Sequence, residues 1–441
     1  MTTPICDFIQ RYAQEDPLRL HMPGHKGSRL LGPEPWDITE VDGADSLYEA
    51  EGIIRESEEN ASQLFGIPTF YSTEGSSQCI RAMVYLALLH ARENGRSNCV
   101  LAGRNAHKTF LSAAALTGAD VRWLWGEGLS YLACPLTAAE VETALEEEAQ
   151  PPAAVYLPSP DYLGNTVDIA AIAAVCHARG VLLLVDNAHG AYLKFLQPSR
   201  HPADLGADLC CDSAHKTLPG LTGTAYLHVT EPFVGQAKNA LALFGSTSPS
   251  YLLLASLDAV NRYLAEGYPE KLAETARVAD AMKARLSAGG WQLTGDEPMK
   301  LTILTKPYGY TGGQLADALA EQGIVSEFAD ADHLVLMLTP EIGEAGIARL
   351  EEALLSVTRQ ALITGSVPAM ARPERVLSVR EALLSPCESI PACESVGRVL
   401  AAASVGCPPA VPIVVSGERI DAAAADCFAY YGIESVTVVK G

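Results

Sequence analysis

The sequence predicts an α/β fold with a mainly parallel sheet. Between about residues 61 and 235, short apolar runs alternate with segments of helical periodicity, a pattern typical of right-handed βαβ units with helices on both faces of the sheet. The 441 residues exceed what one core holds, so several domains are expected. Apolar residues make up 48% and charged residues 19% of the chain, which is ordinary for a globular protein.

Each strand of this sheet is predicted from a short apolar run. The predicted strands are Thr69–Ser72, Cys99–Ala102, Val121–Trp125, Ala154–Leu157, Val181–Val185, Leu209–Cys211 and Tyr226–Val229. The predicted helices between them include Ser77–Ala91, Ser112–Thr117, Ala138–Glu148 and Ile169–Arg179. Because ligands gather at the carboxyl ends of parallel strands, we expect the functional residues to follow these runs.

Four units are predicted along the chain. Residues 1–60, rich in Gly, Pro and acids, form an arm that is extended apart from short helices, and 61–255 form the large domain. Residues 256–367 form a small α+β domain, and a Pro-containing linker leads to a C-terminal unit, 376–441. The predicted helices Ser250–Ala265 and Glu270–Ala288 lead away from the large sheet. The predicted strands Leu301–Thr305 and Leu334–Leu338 indicate the small domain.

The formal net charge of −22 argues against nucleic acid and anionic membranes as partners, although plain solubility explains the charge equally well. The N-terminal residues lack a signal-peptide pattern, and no apolar run approaches the length of a membrane span. The eleven cysteines contain no C-x-x-C pair. Together these features predict a cytoplasmic protein with free thiols.

The most informative pattern is an acid and a lysine that follow two successive strands. Asp186 follows Val181–Val185, and Lys216 follows Leu209–Cys211 within Ser-Ala-His-Lys-Thr-Leu-Pro. A lysine amine forms a Schiff base with the aldehyde of pyridoxal phosphate, and a carboxylate keeps its pyridine nitrogen protonated. The pair therefore predicts a pyridoxal phosphate enzyme. The alternatives are a helix-capping role for Asp186 and a surface position for Lys216.

Small residues and hydroxyls open the helix after the first strand. Gly75, Ser76 and Ser77 offer N–H groups and two hydroxyls to a phosphate dianion, which the helix dipole also attracts. Serine is also a common helix cap, so simple capping is the alternative. A second Ser/Thr turn, around Thr247, is predicted to bind phosphate across a dimer interface, although such turns are common.

Further candidates lie beside the same strand ends. His107 is expected to stack on the pyridine ring, with a surface loop as the alternative. Ala188 shares a face with Asp186 in an extended chain, where a small side chain lets the ring approach. His189 is expected to contact a cofactor oxygen or the substrate carboxylate, and Ser213 is expected to reach the phosphate.

The groups that contact the substrate are predicted from charge. Glu327, Asp330 and Asp332 precede the strand Leu334–Leu338 and can pair with a cationic substrate; a solvated acidic loop is the alternative. His25 lies in a segment expected to close over the substrate. We predict no metal site there, because Pro and Gly separate His25 from His21 and no third ligand has a suitable spacing.

Together these motifs resemble the Orn/Lys/Arg decarboxylase family in its short form, which belongs to the fold type I pyridoxal phosphate enzymes. The motifs are His21–Gly27, Arg104–Lys108, Val185–Gly190, Ser213–Pro219, Ser246–Tyr251, Arg380–Ala382, Glu394–Arg398 and Pro408–Pro412. The resemblance implies an aspartate-aminotransferase-like large domain and a C-terminal decarboxylase-type domain. It also implies Lys216 as the Schiff-base lysine, Asp186 as the pyridinium partner, His107 as the stacking residue, His215 beside the phosphate, and at least a homodimer.

The chain departs from the family pattern beside these residues. Asn187 replaces a frequent Glu, Thr222–Ala225 replaces Thr-Gln-Gly-Ser, and Ala106 and Ala214 are smaller than usual. None of these changes removes a group that the chemistry requires, but they leave the substrate open.

The expected reaction is decarboxylation of a basic L-amino acid (lysine, arginine or ornithine) to CO₂ and an amine. His215 and Lys216 are both candidates for the group that protonates the α-carbon. Two alternatives stand beside this reading: another fold type I activity, such as an aminotransferase, aldolase or lyase, and a cofactor-binding protein without turnover.

Overall fold

A seven-stranded sheet forms the centre of the protein, in a computed structural model that describes residues 1–365, 367–370, 372–406 and 411–441. Its strands are β1 (Thr69–Ser72), β2 (Cys99–Gly103), β3 (Asp120–Leu124), β4 (Ala154–Pro158), β5 (Leu182–Asp186), β6 (Leu209–Asp212) and β7 (Ala225–Val229). Their spatial order is β1-β7-β6-β5-β4-β2-β3. Strand β7 runs antiparallel to the other six strands of this sheet, which are parallel to one another, so the predicted fold class is confirmed.

Helices cover both faces of this sheet, since alternate residues of the buried strands point to opposite sides. Val100 and Ala102 pack against the helices on one face, whereas Leu101 packs with those on the other. The helices are α1 (Pro4–Glu15), α2 (Ile53–Phe65), α3 (Gly75–Glu93), α4 (Lys108–Thr117), α5 (Ala138–Glu146), α6 (Ile169–Ala178), α7 (Ala214–Thr217), α8 (Val234–Phe244), α9 (Tyr251–Ala265), α10 (Tyr268–Ala288), α11 (Gly312–Ala320), α12 (Gly343–Ser356), α13 (Val379–Leu383) and α14 (Ala422–Tyr430).

The N-terminal arm is more helical than its composition suggests. Helix α1 has 12 residues and buries Ile5, Phe8 and Ile9, whose spacing places them on one helical face. Asp258 on α9 accepts hydrogen bonds from the backbone N–H groups of Ile5 and Cys6, both at 3.0 Å. The arm is therefore anchored to the rest of the chain at its first turn. The predicted boundary after residue 60 falls inside α2.

Three smaller sheets lie C-terminal to the large one. The first contains β8 (Gln292–Thr294), β9 (Lys300–Leu304), β10 (Phe328–Ala329) and β11 (His333–Met337), all antiparallel, in the order β10-β11-β9-β8. The C-terminal unit pairs β12 (Cys387–Pro391) with β15 (Ser435–Val439), and β13 (Ser404–Gly406) with β14 (Pro412–Val415). In the part of the chain that is described, no helix has the length and apolar composition of a membrane span. The cysteines of that part are all unpaired.

A buried ion pair ties the C-terminal unit to the large domain. Arg104, which follows β2, is fully buried, and its Nη2 lies 3.0 Å from an oxygen of Glu418. The guanidinium also lies 5.2 Å and 5.0 Å from the ring centres of Trp123 and Trp125. Because breaking a buried pair leaves an uncompensated charge, this contact fixes the loop that leads to His107.

Candidate active site

A cavity of about 400 Å³ opens where β2, β4, β5 and β6 end. These strands are parallel, so the loops that follow them meet at one edge of the sheet. Six of the predicted residues line the cavity: Ser76, His107, Asp186, Ala188, His189 and Lys216.

Asp186 ends β5 and is only 5% exposed. Tyr156 donates its hydroxyl to Oδ2 at 3.0 Å, and the Ala188 N–H donates to Oδ1 at 3.2 Å. The Cys211 thiol lies 3.8 Å from Oδ1, where it is a weak donor. The sequence analysis missed Tyr156, although the residue lies in the predicted strand that neighbours Asp186.

Lys216 lies in the short helix α7, directly after β6. Its amine lies 3.0 Å from Nε2 of His189. Burial lowers the pKa of Lys216, while the negative charges of Asp186 and Glu327 oppose that shift. A lowered pKa increases the fraction of neutral, nucleophilic amine.

A second lysine lies behind His189. Nζ of Lys300, the first residue of β9, is 3.4 Å from Nδ1 of His189. Burial and the two neighbouring lysines, Lys300 and Lys216, hold the pKa of His189 well below its usual range. The sequence does not link a lysine at the start of a distant strand to this histidine, so the sequence analysis missed Lys300.

His107 caps α4 and faces the cavity. Its Nδ1 accepts the Thr109 N–H at 3.3 Å and lies 2.9 Å from the Thr109 hydroxyl. An Nδ1 that accepts leaves the proton of a neutral imidazole on Nε2. These contacts hold the ring beside the cavity, whose wall also includes Asp186 and Lys216.

The predicted phosphate residues come together from two elements. The Ser213 hydroxyl donates to the Ser76 hydroxyl at 2.9 Å, which joins the end of β6 to the start of α3. The hydroxyl oxygen of Ser77 lies 3.3 Å from that of Thr109. The N–H of Gly75 donates to the Gly223 carbonyl at 2.7 Å and is therefore occupied, whereas the N–H groups at the start of a helix have no intrahelical partner.

His215 lies on the same side. Its Nδ1 lies 2.9 Å from the Thr224 carbonyl oxygen, which can only accept, so Nδ1 carries a proton. A side chain at Gly75 would come within 4.0 Å of the His215 ring. His215 is therefore beside the start of α3 and is absent from the cavity wall.

Two predicted residues lie away from the cavity of their own chain. Thr247 is exposed in the loop between α8 and α9, where the N–H of neighbouring Ser246 donates to Glu74. His25 lies in the arm, with Nε2 3.1 Å from Asp37 and Nδ1 accepting the Gly27 N–H at 3.0 Å.

The three candidate acids of the small domain differ in position. Glu327 is exposed and accepts the hydroxyl of Tyr162, a residue of the cavity wall, at 2.6 Å. Asp330 instead accepts two N–H groups of its own turn, from Asp332 and His333, at 2.7 and 2.6 Å. Asp332 pairs with Lys306 at 2.8 Å. Of the three, Glu327 has the contact closest to the cavity.

Asn187, one of the departures from the family pattern, is fully buried. Its Nδ2 donates to Oδ1 of Asp212 at 2.6 Å, and Oδ2 of Asp212 lies 3.0 Å and 3.1 Å from Nε2 of His201 and His228. Burial would raise the pKa of Asp212, but the two imidazoles outweigh it and hold that pKa far below its usual range. These hydrogen bonds account for a cluster whose residue types can also bind metal.

The C-terminal unit completes the cavity wall with Ser404, Val411 and Pro412. The predicted motif Pro408–Pro412 begins with three residues that lie outside the described part of the chain. The wall of the site is therefore built from the large domain, the small domain through Phe328, and the C-terminal unit.

The fold and the cavity define a pyridoxal phosphate enzyme with an aminotransferase-like large domain. The amine of Lys216, the buried carboxylate of Asp186 and the hydroxyl of Ser76, which accepts a hydrogen bond from Ser213, line one cavity. These groups fit the aldehyde, the pyridine nitrogen and the phosphate of the cofactor. The chain uses pyridoxal phosphate.

Comparisons with known proteins agree. The family model described as Orn/Lys/Arg decarboxylase, major domain, matches residues 3–292. An arginine decarboxylase of Bacillus subtilis is 28% identical over 95% of this chain and 91% of its own length, and one of Halalkalibacterium halodurans is 29% identical over the same shares. The crystal structure of a lysine decarboxylase of Francisella novicida superposes with a TM-score of 0.80 at 15% identity, covering 99% of this chain and 81% of that one.

This chain belongs to the Orn/Lys/Arg decarboxylase family, as the match over residues 3–292 establishes. It is a pyridoxal-phosphate-dependent decarboxylase of the class that acts on basic amino acids. The expected family, reaction class and cofactor are thus confirmed.

Proposed function

We propose that the chain decarboxylates L-arginine to CO₂ and agmatine, with Lys216 as the Schiff-base lysine. One observation carries the site assignment: Lys216, Asp186 and His107 line a single cavity at the carboxyl edge of the sheet. The preference for arginine over lysine and ornithine is supported by the arginine decarboxylases that match 95% of the chain.

The cofactor is proposed to lie between His107 and Ala188, with its phosphate at Ser76 and Ser213. When bound, pyridoxal phosphate supplies an electron sink for the bond that breaks at the α-carbon. Asp186 stabilises the protonated pyridine nitrogen, and Tyr156 orients that carboxylate through its 3.0 Å hydrogen bond. Ala188 leaves room for a flat ring because it has no side chain beyond Cβ.

The proton that replaces the lost carboxylate is proposed to come from Nζ of Lys216. Lys216 lines the cavity, whereas His215 turns Nδ1 toward the Thr224 carbonyl and lies beside Gly75. The lowered pKa of Lys216 favours rapid exchange of its proton. His215 is then assigned to the phosphate side.

The distal cation of the substrate is proposed to pair with Glu327. This carboxylate lies at the cavity rim through Tyr162, whereas Asp330 and Asp332 are bound by their own turn and by Lys306. The cavity wall includes Leu132, Ala133 and Phe328, which suit the aliphatic stem of a long side chain. Glu327→Gln is expected to raise KM more than it lowers kcat.

Thr247 and His25 are proposed to act on the cavity of a second copy of the chain. Thr247 is exposed, and the arm that carries His25 exposes large apolar side chains, with Leu18 86% and Leu31 91% accessible. Exposed apolar surface of this kind is typical of an interface. A homodimer is therefore expected in sedimentation, and a monomer with full activity would exclude this role.

A cytoplasmic location is proposed as well, since the described cysteines are unpaired. Cell fractionation tests it, and recovery of the native protein from an oxidising compartment would contradict it.

The substrate proposal is tested by incubating the holoenzyme with arginine, lysine and ornithine. Agmatine and CO₂ are expected in equal amounts from arginine, with Lys216→Ala as the inactive control. A higher kcat/KM for lysine or ornithine would overturn the arginine assignment, and a keto acid product would overturn the decarboxylation. A Schiff-base absorbance that survives Lys216→Ala would overturn the assignment of Lys216.

A further inference from the structure

His189 lies between two lysine amines. Its Nε2 is 3.0 Å from Nζ of Lys216, and its Nδ1 is 3.4 Å from Nζ of Lys300. Lys300 opens β9 in the small sheet, so this chain of contacts joins the small domain to the edge of the large sheet. Both His189, at 7% exposure, and Lys300, at 3%, are buried, which leaves little room for other arrangements.

The surroundings of Lys300 suit a charged amine. Its Nζ donates to the Asp161 carbonyl at 3.1 Å, lies 4.0 Å from an oxygen of Glu297, and is 5.7 Å from the ring centre of Tyr162. Burial lowers the pKa of Lys300, but the charges of Glu297 and Asp161 oppose that shift. We therefore treat Lys300 as an ammonium group, which donates hydrogen bonds and cannot accept one.

An ammonium beside Nδ1 determines where the proton of His189 resides. Because the pKa of His189 is held well below its usual range, the imidazole is neutral and carries one proton. Nδ1 faces a donor and must accept, so the proton lies on Nε2. Nε2–H then points at the amine of Lys216, 3.0 Å away.

We propose that Lys300 is a positioning residue that fixes His189 in the tautomer donating Nε2–H to Lys216, and so shifts the protonation equilibrium of the Lys216 nitrogen toward its unprotonated form. A donor aimed at a nitrogen lone pair stabilises the neutral form, and the positive charge of Lys300 disfavours a second charge nearby. The hydrogen bond and the nearby positive charge both favour the unprotonated form of the Lys216 nitrogen. The inference rests on the proposed role of Lys216. The other titratable groups that face this chain of contacts are Asp186, Glu327, Cys211, His107, His215, Asp161, Glu297 and Tyr162, whose ring centre lies 4.8 Å from that of His189.

The first test is a pH titration of the Schiff-base absorbance in the holoenzyme. Lys300→Met removes the charge and frees His189 to accept from a protonated nitrogen, so the midpoint is expected to rise by about one unit or more. Lys300→Arg keeps the charge and is expected to move the midpoint by less than half of that shift. An unchanged midpoint in Lys300→Met would overturn the proposal.

Lys283→Met is the matched control. The Lys283 amine donates to the carbonyls of Glu297 and Pro298 at 3.2 and 2.7 Å, so it anchors the segment that leads to Lys300. None of its hydrogen bonds in the described part of the chain reaches His189. If Lys283→Met moves the midpoint as far as Lys300→Met, the effect is a loosened segment and the proposal fails.

A second measurement reads the tautomer of the wild-type protein directly and does not need the cofactor. In wild-type apoprotein with ¹⁵N-labelled histidine, the nitrogen shifts of His189, assigned by their loss in His189→Gln, are expected to report a proton on Nε2. A proton on Nδ1 would overturn the proposal. The proposed function fails separately, if Lys216→Ala keeps the Schiff-base absorbance, and the tautomer result is independent of that outcome.

Discussion

Asp186 and Asp212 end neighbouring parallel strands and have the same local sequence pattern, an apolar run that closes on an acid. Both side chains are buried, at 5% and 0% exposure. Their surroundings differ. Asp212 has side-chain donors on both oxygens, from Asn187, His201 and His228. Asp186 has one side-chain hydroxyl, one backbone N–H and a weak thiol donor.

The register of the two strands explains this difference. Asp186 is paired with Cys211, so Asp212 is one residue further and points to the opposite face of the sheet. One face opens on the cavity, and the other is packed with His201, His228 and Phe65. A shift of a single residue thus separates an acid that lines the cavity from an acid that internal side chains hydrogen-bond on both oxygens.

Burial alone therefore does not identify a functional carboxylate, since Asp186 and Asp212 are both buried. A buried acid is costly unless it is paired, and for Asp212 the pairing is internal. For Asp186 the internal donors are a hydroxyl, a backbone N–H and a weak thiol, and the side chain lines the cavity in which the pyridinium partner is proposed to lie. Three experiments test this contrast and a fourth tests His189 of the same cavity; the expected effects decrease in the order given.

The largest expected effect is on stability in Asp212→Ala. Removing the carboxylate leaves two buried imidazoles and the Asn187 amide without their shared acceptor, and breaking a buried pair costs about 3–5 kcal/mol. Urea unfolding of the apoprotein measures the loss. Asp186→Asn is the control and is expected to lose less than about 1 kcal/mol. Equal losses in the two variants would contradict the contrast.

Asp186→Asn is expected to affect catalysis instead. Loss of the charge beside the proposed position of the pyridine nitrogen would remove preorganised electrostatic stabilisation, so kcat is expected to fall by about 10²- to 10³-fold. CO₂ release at saturating arginine measures it. Asp212→Asn serves as the comparison at a temperature where it is folded, and a similar loss of kcat in that variant would break the division of roles.

The Tyr156→Phe variant tests whether the hydroxyl of Tyr156 orients the Asp186 carboxylate. The variant removes the 3.0 Å hydrogen bond to Oδ2 but keeps the ring that stacks on Phe110 at 4.2 Å between centres. A hydrogen bond to a charged group contributes about 1.5 kcal/mol or more, so kcat is expected to fall about tenfold. Retention of the wild-type rate would show that Tyr156 does not orient the carboxylate.

The smallest effect concerns the acid sensitivity of the apoprotein. Because the pKa of His189 is depressed, the unfolded chain binds a proton below about pH 6.5 that the folded chain does not. Stability therefore falls as the pH falls, by about 1 kcal/mol from pH 6.5 to 5.5 for this histidine. His189→Gln is expected to remove that component. If the free energy of unfolding has the same slope against pH in the variant as in the wild type, His189 is not the source of that component.

Hydrophobic pattern predicted most of the fold. Strand β1 ends where the sequence predicts, and β5 differs by one residue, because buried parallel strands are continuous apolar runs. The arm was less predictable, since its composition obscured the single apolar face of α1. Composition averages over a segment, whereas a helix depends on the spacing of a few residues.

The candidate site divides in the same way. Residues that follow strands, such as Asp186 and Lys216, were predictable because topology brings strand ends together. Tyr156 and Lys300 were not, because their contacts depend on side-chain direction and on how the small domain meets the large one. The different role of Asp212 was not predictable, because both acids follow an apolar strand in the sequence. Only the register of the two strands shows that their side chains point to opposite faces of the sheet.

The buried ion pair of Arg104 and Glu418 can form only late in the synthesis of the chain. The two residues are 314 positions apart, and at about 5–20 residues per second the ribosome needs about 16 to 60 seconds to add the second after the first. During that interval, Arg104 has no carboxylate to pair with, and the residues of the C-terminal unit that wall the cavity are not yet available. The strand ends that carry Asp186 and Lys216 are synthesised long before that wall, so the cavity is complete only after Ser404, Val411 and Pro412 have been added.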